Sequence, residues 1–208
     1  MQRTTRIASA ALLAVAAMTN HAYAQVACTA GKIPITFTGK ALTNSVTNSG
    51  DGSIAPTYPG LDFGNAADRT LNTLGTASIR STTHGIKLSC GVRGTITEFD
   101  PSGFPVIEAR FFSHAVCGDH AQLDFDVATT VTFVSASCPS GSYFPAPYGT
   151  IGLVEEQGAL IGTFGAFNGA TGTIALSGTS ACGLQDLDIT AHVCLTQEQI
   201  KALKAKVD

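Results

Sequence analysis

Apolar residues recur along the body of this chain in short runs, each bounded by glycine, asparagine or serine. The runs are Ile33 to Phe37, Ala77 to Arg80, Ile86 to Cys90, Gly94 to Phe99, Pro105 to Phe112, Gln122 to Val127, Thr130 to Ser135, Thr150 to Glu155, Ala159 to Phe164, Gly172 to Leu176 and Leu187 to Cys194. They are rich in β-branched and aromatic residues, and none shows the 3.6-residue spacing of a long amphipathic helix. Many short strands at this interval predict an all-β sandwich or barrel. In the run from Gln122, the alternation puts Leu123, Phe125 and Val127 on one face and Asp124 and Asp126 on the other.

The breaks carry turn chemistry. Asp100-Pro101-Ser102-Gly103 predicts a tight turn, because Pro101 presets φ and Gly103 relaxes the exit. Glu156-Gln157-Gly158 reads as a second hairpin tip, while Ala41 to Leu74 and Ser137 to Tyr148 read as loops. Gly-Thr recurs at Gly75, Gly94, Gly149, Gly162, Gly172 and Gly178, usually where a strand begins. Glycine kinks let a sheet curl until it closes, so the echo reads as barrel-corner chemistry, with composition bias as the plainer alternative. Only the C-terminal end has helical periodicity. Thr196 with Gln199 makes a capping box, and Ile200, Leu203 and Val207 form one stripe. A short helix is expected at about 197–206, lying against the outside of the sheet.

The first residues differ in kind. Met1 to Arg6 is basic, Ile7 to Met18 is apolar, and Ala22-Tyr23-Ala24 has the small-x-small form of a cleavage site. The apolar stretch falls short of the ~20 residues that span a bilayer. Residues 1–24 are therefore expected to be a removed signal peptide, leaving 25–208 as one secreted or periplasmic domain. Gln25 stands where a lipobox wants a branched apolar residue, which disfavours lipidation at Cys28. No later segment offers a membrane span. Removing Arg3 and Arg6 takes the net charge from −3 to −5 (12 − 2 basic against 15 acidic residues). That balance excludes the clustered basic face that nucleic acid demands.

All six cysteines follow the leader, and an oxidising compartment favours their pairing. The closest two, Cys182 and Cys194, are twelve residues apart (194 − 182), too far for a zinc knuckle, so neither metal nor other cofactor is expected. Fifteen connectivities are open. Proximity along the chain favours Cys28–Cys90, Cys117–Cys138 and Cys182–Cys194.

The densest polar cluster is His114, Asp119 and His120 with Asp124 and Asp126. Such a group can bind metal or pair as acid and base, but histidines beside a turn and aspartates opposite an apolar face are more simply solvated. Glu108 and Arg110 share a strand face as a surface ion pair or a charged pair inside a pocket. Glu108, Arg110, Asp124 and Asp126 are thus the pocket candidates. His84 and His192 read as structural. No Gly-x-Ser-x-Gly elbow, His-Glu-x-x-His or phosphate-binding loop occurs, which leans away from an enzyme.

The stretch Gly162-Thr-Phe-Gly165-Ala-Phe167-Asn-Gly169-Ala170-Thr-Gly172 resembles a late motif of allene-oxide-cyclase and dirigent-type barrels, including bacterial secreted relatives. Gly162, Gly165, Phe167, Gly169, Ala170 and Gly172 match; Thr163 and Phe164 depart from it. The resemblance implies a closed, antiparallel, eight-stranded barrel with a cavity, and a turn and bulge over a packed phenylalanine. It implies no activity, because the family's acidic and arginine active-site residues lie outside the matched stretch. Three roles then compete. The barrel binds a small apolar molecule or serves as an interaction module, it works as a cofactor-free cyclase or isomerase, or it is a packed structural envelope protein. The direction in which Glu108, Arg110, Asp124 and Asp126 point separates them.

Overall fold

The computed structural model describes residues 27–47, 71–100, 102–118, 121–137, 150–181 and 184–205. The expected signal peptide at 1–24, the cysteines Cys138 and Cys182, Pro101 of the expected turn, the Asp119–His120 pair, the expected Ser137–Tyr148 loop beyond its first residue, and Val207 lie outside these residues.

Eight strands run in chain order: β1 Ile33–Thr47, β2 Leu71–Ser81, β3 Ile86–Asp100, β4 Val106–Cys117, β5 Ala121–Ser137, β6 Thr150–Phe164, β7 Thr171–Ala181 and β8 Leu184–Leu195. Each pairs antiparallel with the next, and β8 closes on β1, so the sheet is a barrel rather than a sandwich. The pairing is staggered. Followed around the ring from Leu88 through Ile79, Gly39, Ile189, Leu176, Glu156, Thr129 and Ala109, it returns to β3 at Phe99, not at Leu88. This offset is the shear that a small barrel needs for its strands to tilt and close.

Closure also depends on glycine. A Cβ on Gly75 would fall on the carbonyl oxygen of Leu42, and one on Gly178 on that of Asp186. At these corners a neighbouring strand occupies the space of the missing side chain, which gives two members of the Gly-Thr echo their reason.

The strands are longer than the apolar runs. β3, β5 and β6 each join two runs, because glycine, threonine and acidic residues continue the pleat between them. The expected hairpin tip at Glu156-Gln157-Gly158 is therefore absent: these residues are mid-strand in β6. Likewise Ala41 to Thr47 continues β1 and Leu71 to Leu74 begins β2, so both ends of the stretch expected as loop are strand, and 48–70 lie outside the described residues. Alternation holds in both cases, with Ala41 and Thr43 buried and Leu42 and Asn44 exposed. At the expected turn the Asp100 carboxylate accepts from the Ser102 N–H at 2.8 Å, but the backbone hydrogen bond there closes one step later, from the Val106 N–H to the Gly103 carbonyl at 3.0 Å.

Inward positions form one core, including Phe37, Ile86, Ile96, Phe125, Val127, Val154 and Val193. One end of the barrel is plugged. There the chain leaves β6 through a 3-10 turn, Gly165–Phe167, whose Gly165 and nearby Gly169 have φ of 63° and 74°. Phe167 is 0 % exposed and packs beneath it. Helix α1, Gln197–Lys204, starts at the same end with both halves of the Thr196–Gln199 capping box formed. It lies across the plugged end against the 3-10 turn and β3, not on the outer wall of the sheet, and it buries Ile200 and Leu203 in the core. The Gln199 side chain donates to the Asn168 carbonyl at 2.9 Å, holding helix and turn together.

Two disulfides reinforce this frame, and neither is among the pairs expected from chain proximity. Cys28 bonds Cys194, and Cys90 bonds Cys117. Cys90 and Cys117 are direct cross-strand partners with Cα atoms 4.0 Å apart, on the inner face. Cys194 faces outward near the end of β8, where the segment before β1 passes. The expected Cys182–Cys194 pair fails because Leu184 to Cys194 alone is about 33 Å of extended strand. Cys117 and Cys138 are separated by the whole of β5, and Cys28 is taken by Cys194 instead of Cys90. In long antiparallel strands, neighbours in sequence end up at opposite ends of the barrel.

Candidate functional site: the barrel lumen

The inner wall alternates with the outer one except at register shifts between Ile96 and Glu98 on β3 and beside Asp124 and Phe125 on β5, so the pleat largely decides which side chains meet in the lumen. Phe37, Phe111, Leu123, Phe125, Ile174 and Leu187 are among the apolar side chains that line a cavity of about 100 Å³. The inner face is not wholly apolar. Thr43 on β1 donates its hydroxyl proton to Gln185 Oε1 on β8 at 2.6 Å, a cross-strand pair that satisfies two groups in place. Midway along β6, Glu156 points into the cavity opposite Thr129 on β5.

Glu156 has the electrostatics of a functional group. Its carboxyl is pushed up from 4.5 to about 7, because burial strips solvent from the charged form; the nearby Thr129 hydroxyl counters this only in part. That hydroxyl falls short of hydrogen-bond geometry. Thr129 is 3 % exposed and its Oγ1 is buried without a hydrogen-bond partner. A buried, unpaired hydroxyl thus lies beside a carboxyl whose ionisation burial opposes; of the two, Glu156 borders the cavity, while Thr129 borders the groove that carries Glu98 and Glu108.

The four residues singled out from the sequence all lie on the outer wall. Leu123, Phe125 and Val127 are buried inward, which turns Asp124 and Asp126 outward. Arg110 pairs with Asp126 across the strands at 2.5 Å, not with Glu108, and both ends are roughly half exposed. Such a pair contributes about 1 kcal/mol or less. Glu108 is exposed and sits opposite Asp100 on an open acidic groove that also carries Glu98.

Asp124 departs from the solvated expectation. It faces outward yet is only 6 % exposed. Gly162, its partner on β6, has no side chain, and a Cβ there would press into the Asp124 carboxylate. His114 Nδ1 approaches Asp124 Oδ1 at 2.5 Å, and the Gln122 amide donates to both carboxylate oxygens at 3.1 Å. The carboxylate is thus fully engaged in the wall. His192 meets the Thr36 hydroxyl at 3.1 Å on the outer face, a structural cross-strand contact. Among the described residues no group of three metal-ligating side chains converges.

No protein-family model, curated protein or solved structure matches this chain. The lumen must therefore be read from its own chemistry. Among the described residues no helix is long and apolar enough to cross a membrane.

Sequence reasoning missed Glu156 and Thr129. Glu-Gln-Gly looked like a turn, and two adjacent acids look like solvated surface. The available signal was the alternation Val154, Glu156, Gly158, which sets Glu156 on the same face as Val154, a fully buried residue.

Proposed function

We propose that this is an exported, disulfide-reinforced barrel, secreted or periplasmic, that binds a small and mostly apolar molecule in its lumen. The observation that carries the reading is the cavity itself, which has Phe167 at its plugged end and is walled mainly by aromatic and aliphatic side chains. Apolar pockets with a few convergent polar groups are the usual form of small-molecule sites. The size restricts the ligand. A cavity of about 100 Å³ is smaller than the ~150 Å³ void known to take benzene. It suits a compact ring or the end of an aliphatic chain.

The resemblance to allene-oxide-cyclase and dirigent-type barrels supports the same reading at the level of architecture. Kinship with those barrels is part of the proposal. The alternative role, a cofactor-free cyclase or isomerase, called for paired inward carboxylates or an inward Arg–Glu pair. Glu108, Arg110, Asp124 and Asp126 all face outward, and Glu156 is the single acid on the described inner face. One buried acid supports binding and orientation better than it supports a proton relay.

Native mass spectrometry of the protein purified from the exporting cell tests the reading. A retained low-mass adduct that dissociates on mild activation is the expected result. Methyl NMR of Leu123, Ile174 and Leu187 with added benzene or cyclopentane gives an independent readout. If neither adduct nor methyl shifts appear, the lumen is a packed core and the structural-envelope role takes its place.

A further inference from the structure

On the outer wall of β1, β2 and β3 the pleat sets out a small grid of polar side chains. Arg80 on β2 and Lys87 on β3 are direct cross-strand partners, and both are exposed. In the next row Ser78 stands opposite Ser89 on the same two strands, also exposed. Like charges placed directly opposite each other destabilise a sheet. Among the described residues no carboxylate pairs with either cation. On its other side Arg80 meets Thr38, and Thr38 meets Thr190, so hydroxyls continue the row where an acid would relieve it. Lys40 gives the contrast. It stands beside Ser78 on β1, and Asp186 at 3.2 Å and Asp188 at 3.4 Å compensate it from β8.

The cationic pair also sits at a step in the barrel. β3 begins at Ile86, but its register with β4 begins only at Cys90 opposite Cys117. The first residues of β3 therefore project past the end of β4, and an open groove borders them. Arg80, Lys87, Ser78 and Ser89 line it, and it reaches Gly118 after β4 and Leu203 of α1. Its volume of about 1170 Å³ is an order of magnitude above that of the lumen. Asp188, the one acid on its border, is taken by Lys40. We propose that this groove, separate from the lumen, binds a phosphate-type oxyanion, free or esterified to a hydroxylated carrier, seated between Arg80 and Lys87 above Ser78 and Ser89.

Charge and donor geometry select the ligand. A guanidinium offers a planar fork that matches two phosphate oxygens, and an ammonium adds a compact point charge. The two serine hydroxyls can donate to the remaining oxygens. A dianion compensates both cations and turns their repulsion into a shared attraction, whereas a monocarboxylate leaves one cation uncompensated. Two cations match one phosphate group. A nucleic acid would demand a longer basic track, which the acidic balance of the chain does not supply.

Amide NMR titration of the intact mature protein at low ionic strength tests the site, at about pH 7.5, where a phosphate monoester is mostly dianionic. Inorganic phosphate and glycerol phosphate are the probes; glycerol and sodium chloride at matched ionic strength are the controls. The Arg80 Nε–H and the amides of Ser78, Lys87 and Ser89 should move with both phosphates and stay in place with glycerol. Tighter binding of glycerol phosphate identifies an esterified ligand, and equal binding identifies free phosphate. Arg80→Gln and Lys87→Gln should each weaken binding about tenfold. Lys87→Glu replaces the repulsive pair with an attractive one, so it should raise the thermal midpoint without ligand and abolish the phosphate shifts. That gain separates lost binding from a lost fold. Absence of shifts with either phosphate overturns the assignment. So do shifts that sodium chloride reproduces, shifts centred on Lys201 and Lys204 of α1, or binding undiminished in both glutamine variants.

Discussion

Glu156 on β6 and Thr129 on β5 face each other across the inner wall, one a carboxyl titrating near neutrality and the other a buried hydroxyl without a partner. The pair has a consequence for stability that needs no ligand. In the unfolded chain the Glu156 carboxyl titrates near 4.5, and in the fold near 7. Below pH 4.5 both states hold the proton and the fold carries no penalty from this group. As pH rises through that window the unfolded state releases its proton first, so stability falls until about pH 7 and then levels off. The full effect is about 3 kcal/mol. Urea unfolding midpoints across this range should fall with rising pH in the native protein, and Glu156→Gln should remove most of that slope. An unchanged slope would place the carboxyl in contact with solvent.

The disulfides differ in the length of chain they enclose. Cys90–Cys117 spans 27 residues and Cys28–Cys194 spans 166. Loop-closure entropy assigns them about 3.5 and about 5 kcal/mol respectively, so loss of the longer one should cost more. Comparing Cys28→Ala/Cys194→Ala with Cys90→Ala/Cys117→Ala by thermal unfolding checks the order. Peptide mapping without reductant should recover both linkages, and recovery of a Cys117–Cys138 peptide would contradict the register of β4 and β5.

Glycine at the barrel corners should resist substitution where glycine on the open wall does not. Gly178→Ala puts a methyl group against the Asp186 carbonyl and should destabilise by about 1–3 kcal/mol. Gly91 has nothing within 4 Å of an added Cβ. Gly91→Ala should be neutral, or stabilising by about 0.5–1 kcal/mol through reduced chain entropy. Chemical denaturation of the two variants side by side reads the difference.

The helix should matter through its core contacts more than through its cap. Leu203 is fully buried at the plugged end, and Leu203→Ala should cost about 2–5 kcal/mol. Thr196→Ala removes the acceptor for the Gln199 N–H and should cost about 1 kcal/mol. Hydrogen exchange would show the larger loss reaching the neighbouring ends of β3 and the 3-10 turn. A Leu203→Ala protein as stable as the native one would place the helix outside the core.

Much of the architecture was legible along the chain because it rests on local chemistry. The alternation of Leu123, Phe125 and Val127 with Asp124 and Asp126 set which face turns inward, since a pleated strand presents successive side chains to opposite sides. The capping box at Thr196 depends on residues only three positions apart, and it formed as expected. The turn over the packed ring of Phe167 was expected from the motif resemblance, not from local chemistry.

What required the tertiary structure was every relationship that crosses the barrel. Strand stagger decides that Cys90 meets Cys117 and that Cys28 meets Cys194, because register and shear, not chain distance, bring residues together. It also decides that Asp124 is sheltered by a glycine on the next strand, and that Glu156 belongs to the lumen instead of a hairpin tip. A carboxyl's environment is made by its cross-strand neighbours, and those neighbours are chosen only when the sheet closes.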